Sequence, residues 1–188
     1  IEGETMKKFQ GVLLVIVVAI GAFLMASRGN GLSSKKTAEF DAIKKLDLEK
    51  AYPESERDVV ELFCKITKEF YHKDYSEKEI AVLANKMRHL FSEELLAANP
   101  YDRYMERLLE EIEDYKSVNR VIILYTIDRT YKEDKGIVDG VEMRTMRIKF
   151  DLVDANDSDI ELYEKLLLVK EEGKWKIMGW TQAEPFDE

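Results

Sequence analysis

The pattern of apolar and polar positions separates one uniformly apolar segment from a longer region of mixed character. Residues 9–27 contain no charged side chain over 19 positions, and Lys7, Lys8 and Arg28 flank them. At a rise of about 1.5 Å per residue, this run spans roughly 28 Å, close to the hydrocarbon thickness of a bilayer. The pattern predicts a retained transmembrane helix. A cleaved signal peptide is the alternative, because a basic start and Ala26 near the exit also fit that class.

The charges around this segment predict its orientation and divide the chain into regions. Lys7 and Lys8 favour a cytoplasmic N-terminus, whereas Arg28, Lys35 and Lys36 form an opposing basic cluster. Because the N-terminal tail is very short and easily left inside, we predict that the rest of the chain lies outside the cell membrane. Residues 29–37 are rich in Gly, Ser and Lys, a composition typical of a flexible linker, and 38–51 have a weak helical period that predicts a short helix or an extended lead-in. We therefore predict a vector remnant with a short cytoplasmic tail (1–8), a membrane anchor or signal segment (9–27), a linker (28–44) and one folded domain (45–188).

Three stretches of the folded domain repeat apolar residues every three or four positions, which predicts three amphipathic helices. Two begin with a capping box, Ser55-x-x-Asp58 and Ser76-x-x-Glu79, and the third begins at Asn99-Pro100 as N-cap and first helical residue. The segment 92–98 either extends the second helix or forms its own turn. The apolar residues that define these helices are Val59, Leu62, Phe63, Ile66 and Phe70; Ile80, Leu83, Ala84, Met87, Leu90 and Phe91; Tyr101, Tyr104, Met105, Leu108, Leu109 and Ile112.

After Tyr115 the apolar residues alternate with polar ones, which predicts strands. Four strands are expected, at 118–131, 141–153, 160–170 and 175–182. Turns at 132–136 and 155–158 and a tight hairpin at Glu172-Gly173 separate them. Sequential strands joined by short turns favour an antiparallel meander. Helices followed by strands predict an α+β fold with the helices packed on one face of the sheet.

Composition narrows the classes of function. The 188 residues include 29 Lys and Arg against 38 Asp and Glu, a formal net charge of −9. Such an acidic chain lacks the concentrated basic face that nucleic acid requires, so no nucleic-acid partner is predicted. A single Cys excludes an internal disulfide and a multi-Cys zinc site. The chain has no Gly-rich phosphate loop and no Gly-x-Ser-x-Gly motif, and we predict no cofactor, metal or catalytic residue.

Two parts of the sequence resemble known families. The closing stretch 166–180, LLLVKEEGKWKIMGW, resembles the final hairpin of the nuclear-transport-factor-2-like superfamily. The stretch 90–100, LFSEELLAANP, with Tyr52-Pro53 and 61–71, resembles an uncharacterised family of membrane-anchored proteins of anaerobic Gram-positive bacteria. The resemblance spans about residues 45–183. It implies three helices packed on a curved four-stranded antiparallel sheet, shaped as a cone, and an envelope location without an assigned activity.

The superfamily also includes isomerase- and dehydratase-like enzymes, so an acid/base site is an alternative to consider. Such a site needs a carboxylate or His base in an apolar cone with hydroxyl donors nearby. Asp128 is the candidate base, but its place near a strand end favours a solvated carboxylate paired with Arg129 or Arg144. We expect no other carboxylate in the cone within hydrogen-bond reach of a tyrosine hydroxyl. The candidate donors are Tyr125, Tyr131 and Tyr163.

The remaining reactive or aromatic residues favour structural roles. His72 and His89 lack metal-ligand spacing, and Cys64 is predicted as a small core or boundary residue. Trp175 and Trp180 are five positions apart on one strand, so they are predicted to face opposite sides. The adjacent acidic pairs are predicted to be solvated charges, because neighbouring helical residues point about 100° apart. These pairs are Glu93-Glu94 and Glu110-Glu111.

We therefore predict a non-catalytic, membrane-tethered extracytoplasmic binding or scaffold module. The alternative is an isomerase- or hydratase-like enzyme that uses an acid/base site in the cone. The expected partners are the membrane, through residues 9–27, and a protein or small-molecule ligand, with a homodimer as a further candidate.

Overall fold

A computed structural model of the protein describes residues 37–72, 75–129, 135–156 and 159–186. These residues form helices followed by strands, which confirms the predicted α+β class. The predicted membrane segment 9–27 lies outside the described residues, and no helix within them is long and apolar enough to span a bilayer. The elements are α1 Ala38–Lys45, α2 Glu56–His72, α3 Glu77–His89, α4 Glu93–Ala98, α5 Tyr101–Ser117, β1 Val121–Ile127, β2 Lys135–Val138, β3 Val141–Val153, β4 Asp159–Glu171 and β5 Lys174–Gln182.

The described strands form one antiparallel sheet of five strands, not the predicted four. Its order is β1-β3-β4-β5, and β2 pairs with β3 along the same edge as β1. The extra strand β2 starts inside the segment predicted as a turn, 132–136. The actual turn before β3 is Asp139-Gly140, whose φ angles of +50° and +82° suit a tight hairpin. The predicted hairpin at Glu172-Gly173 is confirmed, with φ angles of +49° and +80°.

A bulge in β5 changes which way its tryptophans face. Leu168 pairs with Ile177 but Leu167 pairs with Gly179, so one extra residue enters β5 between them. Trp175 and Trp180 are consequently opposite Lys170 and Leu166, which lie on the same face of β4. The prediction that the two tryptophans face opposite sides is therefore wrong, because spacing alone does not reveal a bulge.

The helix starts follow the local capping chemistry. The backbone N–H of Ser55 donates to Asp58 (3.1 Å) and that of Ser76 donates to Glu79 (3.0 Å), as both predicted capping boxes require. The segment 92–98 forms its own short helix, α4, in which Ser92 Oγ accepts from the Leu95 N–H at 3.1 Å. Asn99 is not the N-cap of α5. It ends α4, and its Nδ2 donates to the Leu95 carbonyl at 3.0 Å.

The packed domain begins before residue 45. Phe40 and Ile43 of α1 are 1% and 2% exposed, although the sequence assigned both to the linker 28–44. The N-cap Thr37 also donates from Oγ1 to Glu69 Oε2 at 2.6 Å. The Tyr75 hydroxyl donates to the same oxygen at 2.5 Å, and Glu69 itself is 3% exposed. A buried carboxylate held by two hydroxyls therefore joins the start of α1 to the end of α2.

We expect Tyr75→Phe to lower the free energy of unfolding by about 1–2 kcal/mol, because it removes one of the two hydroxyl donors to a buried carboxylate. Urea unfolding of the chain without residues 1–36 measures this loss. Tyr163→Phe is the matched control, since its hydroxyl meets Glu161 in an exposed contact and its removal is expected to cost less than about 0.5 kcal/mol. Equal losses for the two variants would contradict the structural role of Glu69.

Apolar side chains fill the space between the helices and the sheet. The Phe63 ring of α2 meets the Trp180 ring of β5 edge-on, with centroids 5.3 Å apart. Leu62, Phe63 and Ile66 are all buried, as predicted. The sheet side chains in this layer that are 1% exposed or less are Ile122, Ile148, Phe150, Leu166, Leu168 and Ile177. Polar side chains on this face of the sheet are therefore exceptions that need an explanation.

Candidate functional site

Two carboxylates and three tyrosines converge on the helix side of the sheet. They come from three elements and are named here the Glu–Tyr cluster. Its members are Tyr71 of α2, Tyr104, Glu111 and Tyr115 of α5, and Glu164 of β4. Tyr115 is buried, whereas the other four side chains are partly exposed and so within reach of solvent.

The sequence places these residues there through the periods of a strand and a helix. Glu164 follows Ile160 and Leu162 and precedes Leu166 and Leu168 at alternate positions of β4, so it points to the helix side. On α5, the spacing Tyr104, Leu108, Glu111, Tyr115 keeps Glu111 next to the buried stripe. In the sequence, the signal for this cluster was a glutamate within the apolar series of β4 and another beside the apolar series of α5. The prediction that Glu110-Glu111 are solvated charges is wrong for Glu111.

Contacts within the cluster are close. The rings of Tyr71 and Tyr115 lie with their centroids 4.3 Å apart. The Tyr71 hydroxyl lies near enough to the Glu111 carboxylate to lower the pKa of that carboxyl. The expectation that no further carboxylate reaches a tyrosine hydroxyl is wrong at Glu69, which accepts a hydrogen bond from the Tyr75 hydroxyl.

Burial changes the acid–base chemistry of the cluster. Loss of hydration, with repulsion from the Glu111 carboxylate, raises the pKa of Glu164 to about 8. Burial also raises the pKa of Glu111, against the opposing effect of the Tyr71 hydroxyl. The pKa values of the Tyr71, Tyr104 and Tyr115 hydroxyls are raised, again chiefly by burial. At neutral pH, Glu164 is therefore mostly protonated and can either donate a hydrogen bond or release a proton.

The nearest arginines contact tyrosine rings of the cluster. The Arg88 guanidinium lies over the Tyr104 ring at 5.4 Å from the centroid, and the Arg120 guanidinium lies over the Tyr115 ring at 5.6 Å. Within the described residues, the Glu164 carboxylate forms no hydrogen bond or ion pair with a protein group. The described part of the protein thus provides no ionic partner for this half-buried acid.

Asp128, the base considered from sequence, lies in a different place. Its side chain is 4% exposed, and its Oδ2 is 3.8 Å from Nε of Arg147 on β3. A cation of the neighbouring strand does pair with it, as expected, and the structure shows that Arg147 is such a cation. The carboxylate is also buried where a solvated one was predicted. Arg147 points away from the helices, because it alternates with the buried Met146 and Ile148.

The tyrosines proposed as partners of Asp128 do not join it in one site. The Tyr163 hydroxyl donates to Glu161 at 2.7 Å. Burial raises the pKa of Tyr125, while Lys65 opposes that rise. Tyr131 lies outside the described residues.

The described surroundings of the histidine and cysteine candidates do not favour a catalytic role. His89 is exposed, and its Nδ1 lies 2.7 Å from the Asn85 carbonyl. The side chain of His72 is outside the described part. Cys64 is fully buried, as predicted, and burial raises the pKa of its thiol, which disfavours the reactive thiolate. Among the described residues, no three His, Cys, Asp or Glu side chains converge in a way that could hold a metal ion.

A shallow groove of about 390 Å³ lies elsewhere, between α4, the β2–β3 turn and the neighbouring strands. Its apolar lining includes Val141, Met143, Val169 and Met178. Glu171 at its rim accepts from the Glu93 N–H at 3.2 Å, which satisfies the start of α4. The groove therefore offers apolar contact but no group prepared for chemistry.

Comparison with known proteins gives one family and one structural likeness. A family model described as "Domain of unknown function (DUF6715)" matches residues 2–180. No curated protein matches the chain. A solved chain described as "Structure of a periplasmic fragment of TraM" aligns with 70% of this chain and 98% of its own length, at 13% identity and a TM-score of 0.40.

Proposed function

Because the chain belongs to the DUF6715 family, whose function is unknown, we propose a function from its own residues: a membrane-tethered, extracytoplasmic and non-catalytic module that binds a partner through the Glu–Tyr cluster. The apolar run 9–27 with Lys7 and Lys8 before it supports the tether and the orientation. The resemblances to the cone-shaped nuclear-transport-factor-2-like domains and to membrane-anchored proteins of anaerobic Gram-positive bacteria support the same location.

One observation favours a binding function over a catalytic one. Apolar side chains fill the layer between helices and sheet, while the polar side chains of the Glu–Tyr cluster occupy partly exposed positions beside it. A catalytic cone needs an open interior that surrounds its substrate with dry walls. A filled interior with a polar, aromatic patch next to it suits contact with the surface of a partner.

The tether predicts a defined topology. Protease added to intact cells after wall removal is expected to degrade the domain, because Lys7 and Lys8 hold the N-terminus inside. A cytoplasmic protein serves as the control for intact membranes. Survival of the domain until lysis would reverse the orientation, and a mature chain that starts near Ser27 would replace the anchor with a cleaved signal peptide.

Binding at the cluster is tested by photo-crosslinking in intact cells. We expect p-benzoyl-phenylalanine in place of Tyr104 to give a discrete crosslinked product, because this position is partly exposed at the cluster. The same probe in place of Lys135, exposed on β2, is the control. Equal yields at both positions, or no product at Tyr104, would contradict a binding role for the cluster.

A second candidate is the acid/base enzyme, which the raised pKa of Glu164 beside tyrosine hydroxyls favours. There, protonated Glu164 would act as a general acid, ionised Glu111 as a base and the Tyr71 hydroxyl as a donor to a developing oxyanion. Tyr71→Phe separates the two functions. It keeps the ring and is expected to preserve crosslinking at Tyr104, whereas loss of such a donor typically costs an enzyme about 10²–10³ in turnover.

A further inference from the structure

The apolar run at residues 166–169 of β4 is apolar on both faces of the sheet. Leu166 and Leu168 belong to the core between helices and sheet, so Leu167 and Val169 point to the opposite side, named here the outer face. An antiparallel sheet that packs helices on one face usually keeps the other face polar. Leu167 and Val169 are nevertheless only 4% and 7% exposed. Packing of the helices does not account for apolar residues on this second face.

The outer face has a polar half and an apolar half. In the polar half, Lys149 pairs with Asp151 and with Glu161, both at 2.8 Å, as suits a solvated surface. In the apolar half, side chains of β3, β4 and β5 line the groove of about 390 Å³. These side chains are Val141, Met143, Val169 and Met178. The groove therefore continues the apolar series of β4 across the neighbouring strands.

The floor of the groove is accessible and adaptable. Gly136 of β2 is opposite Met143 and places no side chain beside it. Met143 and Met178 are both partly exposed, and methionine side chains adapt to apolar partners of different shapes. A small molecule is usually enclosed on most sides by its pocket, whereas a shallow apolar groove suits a row of side chains from a peptide segment.

The rim of the groove is acidic. Glu94, Asp139 and Glu171 line it, together with Lys170, whose Nζ pairs with Glu142 at 2.9 Å. In the part of the chain that the structure describes, the carboxylates of Glu94 and Asp139 form no hydrogen bond or ion pair. An apolar floor with an acidic rim complements a segment that carries Lys or Arg beside apolar residues, and it repels anionic lipid headgroups.

We infer that the groove binds an amphipathic, basic segment of a protein partner. Its apolar side chains contact Met143 and Met178, and its Lys or Arg side chains meet the acidic rim. The inference goes beyond the proposed function, because the groove lies on the outer face and the Glu–Tyr cluster lies on the helix side of the sheet. Variants of one surface therefore leave the other intact.

The test uses the full chain with ¹³C-labelled methionine methyl groups, placed in phosphatidylcholine nanodiscs and titrated with the peptide acetyl-KLLKKLLK-amide. We expect the signals of Met143 and Met178 to shift and to saturate below about 1 mM peptide. The signals of Met87 and Met146, both 3% exposed in the core, are expected to stay in place. Absence of a shift at Met143 and Met178 would overturn the inference.

Two control peptides separate the contributions of charge and apolar contact. One replaces every Lys with Glu, and the other replaces every Leu with Ser. Each is expected to bind about tenfold more weakly or worse, because one is repelled by the rim and the other has no side chain for the floor. Equal binding of either control peptide would overturn the inference.

Matched variants locate the binding site. Glu94→Lys with Asp139→Asn is expected to weaken binding of the lysine peptide about tenfold or more, and Asn suits the φ angle of +50° at position 139. Glu113→Lys with Glu110→Gln makes the same change of charge at exposed positions of α5 and is expected to leave binding unchanged at about 0.15 M salt. Equal weakening by both pairs would overturn the inference.

A second copy of the chain is the other occupant that the experiment distinguishes. Nanodiscs that hold one copy or two copies are compared without peptide. The Met143 and Met178 signals are expected to be the same in both preparations. A shift of these two signals in the two-copy nanodiscs would assign the groove to self-association and overturn the inference.

Discussion

Phe63→Ala is expected to lower the free energy of unfolding by about 3–5 kcal/mol, as for other large-to-small changes in a packed core. Phe63 is 3% exposed on α2, and its ring meets Trp180 of β5 at 5.3 Å. Its removal leaves a cavity at the contact between helix and sheet, and the surrounding apolar layer can close that cavity only in part. Urea unfolding of the chain without residues 1–36 measures the loss.

Two further variants on the same helix serve as controls for this result. Lys65→Ala removes only a partly exposed ion pair with Glu61 (3.0 Å) and is expected to cost less than about 1 kcal/mol. If Phe63→Ala fails to fold, Phe63→Leu is expected to cost about 1–2 kcal/mol, since it retains most of the apolar volume. A loss below about 1 kcal/mol for Phe63→Ala would place the ring outside the core and break the helix register.

Glu164→Gln is expected to stabilise the protein at alkaline pH and to leave it nearly unchanged in mild acid. The folded state raises the pKa of Glu164 from 4.5 to about 8, so between these values it binds more protons than the unfolded chain. Stability from this group is therefore complete below about pH 4.5 and is lost as the pH rises towards 8. Glutamine imitates the protonated acid and does not titrate.

The expected gain at pH 8.5 is about 2–4 kcal/mol, which is below the roughly 5 kcal/mol of the full shift because the side chain is partly solvated. Urea unfolding at pH 4 and pH 8.5 checks it. Glu113→Gln, an exposed change on α5, is expected to alter stability by less than about 0.5 kcal/mol at both values. A gain for Glu164→Gln that is the same at both pH values would show that Glu164 titrates normally.

The helices and most strands were predictable because their signals are local. Capping boxes at Ser55 and Ser76 fix two helix starts, and two-residue alternation defines β3 and β4. Strand β2 was missed because Lys135-Gly136 has the composition of a turn, and the strand exists only through its pairing with β3. The bulge that turns Trp180 to the helix side is likewise a product of pairing and not of residue spacing.

The candidate site could be predicted only in part from the sequence. Glu164 interrupts an apolar series on β4, and this interruption was the signal that a polar group faces the helices. Its proximity to Glu111 and Tyr71 depends on how α2 and α5 cross the sheet, which no local pattern contains. Asp128 was considered as a base because it directly follows a strand. Its partner Arg147 lies on β3, where the alternation of side chains directs it to the face away from the helices.

The proton equilibrium of Glu164 tests the central claim most directly, since the proposed function depends on a half-buried acid that the protein leaves without a cation. Carboxyl ¹³C chemical shifts of Glu164, assigned through Glu164→Gln and followed from pH 4 to pH 10 in the full chain, measure this equilibrium. The account predicts a midpoint near pH 8, raised by burial and by Glu111. A midpoint near the ordinary value of 4.5 would mean that water or a cation already stabilises the ionised form of Glu164, and would contradict the Glu–Tyr cluster as the binding site.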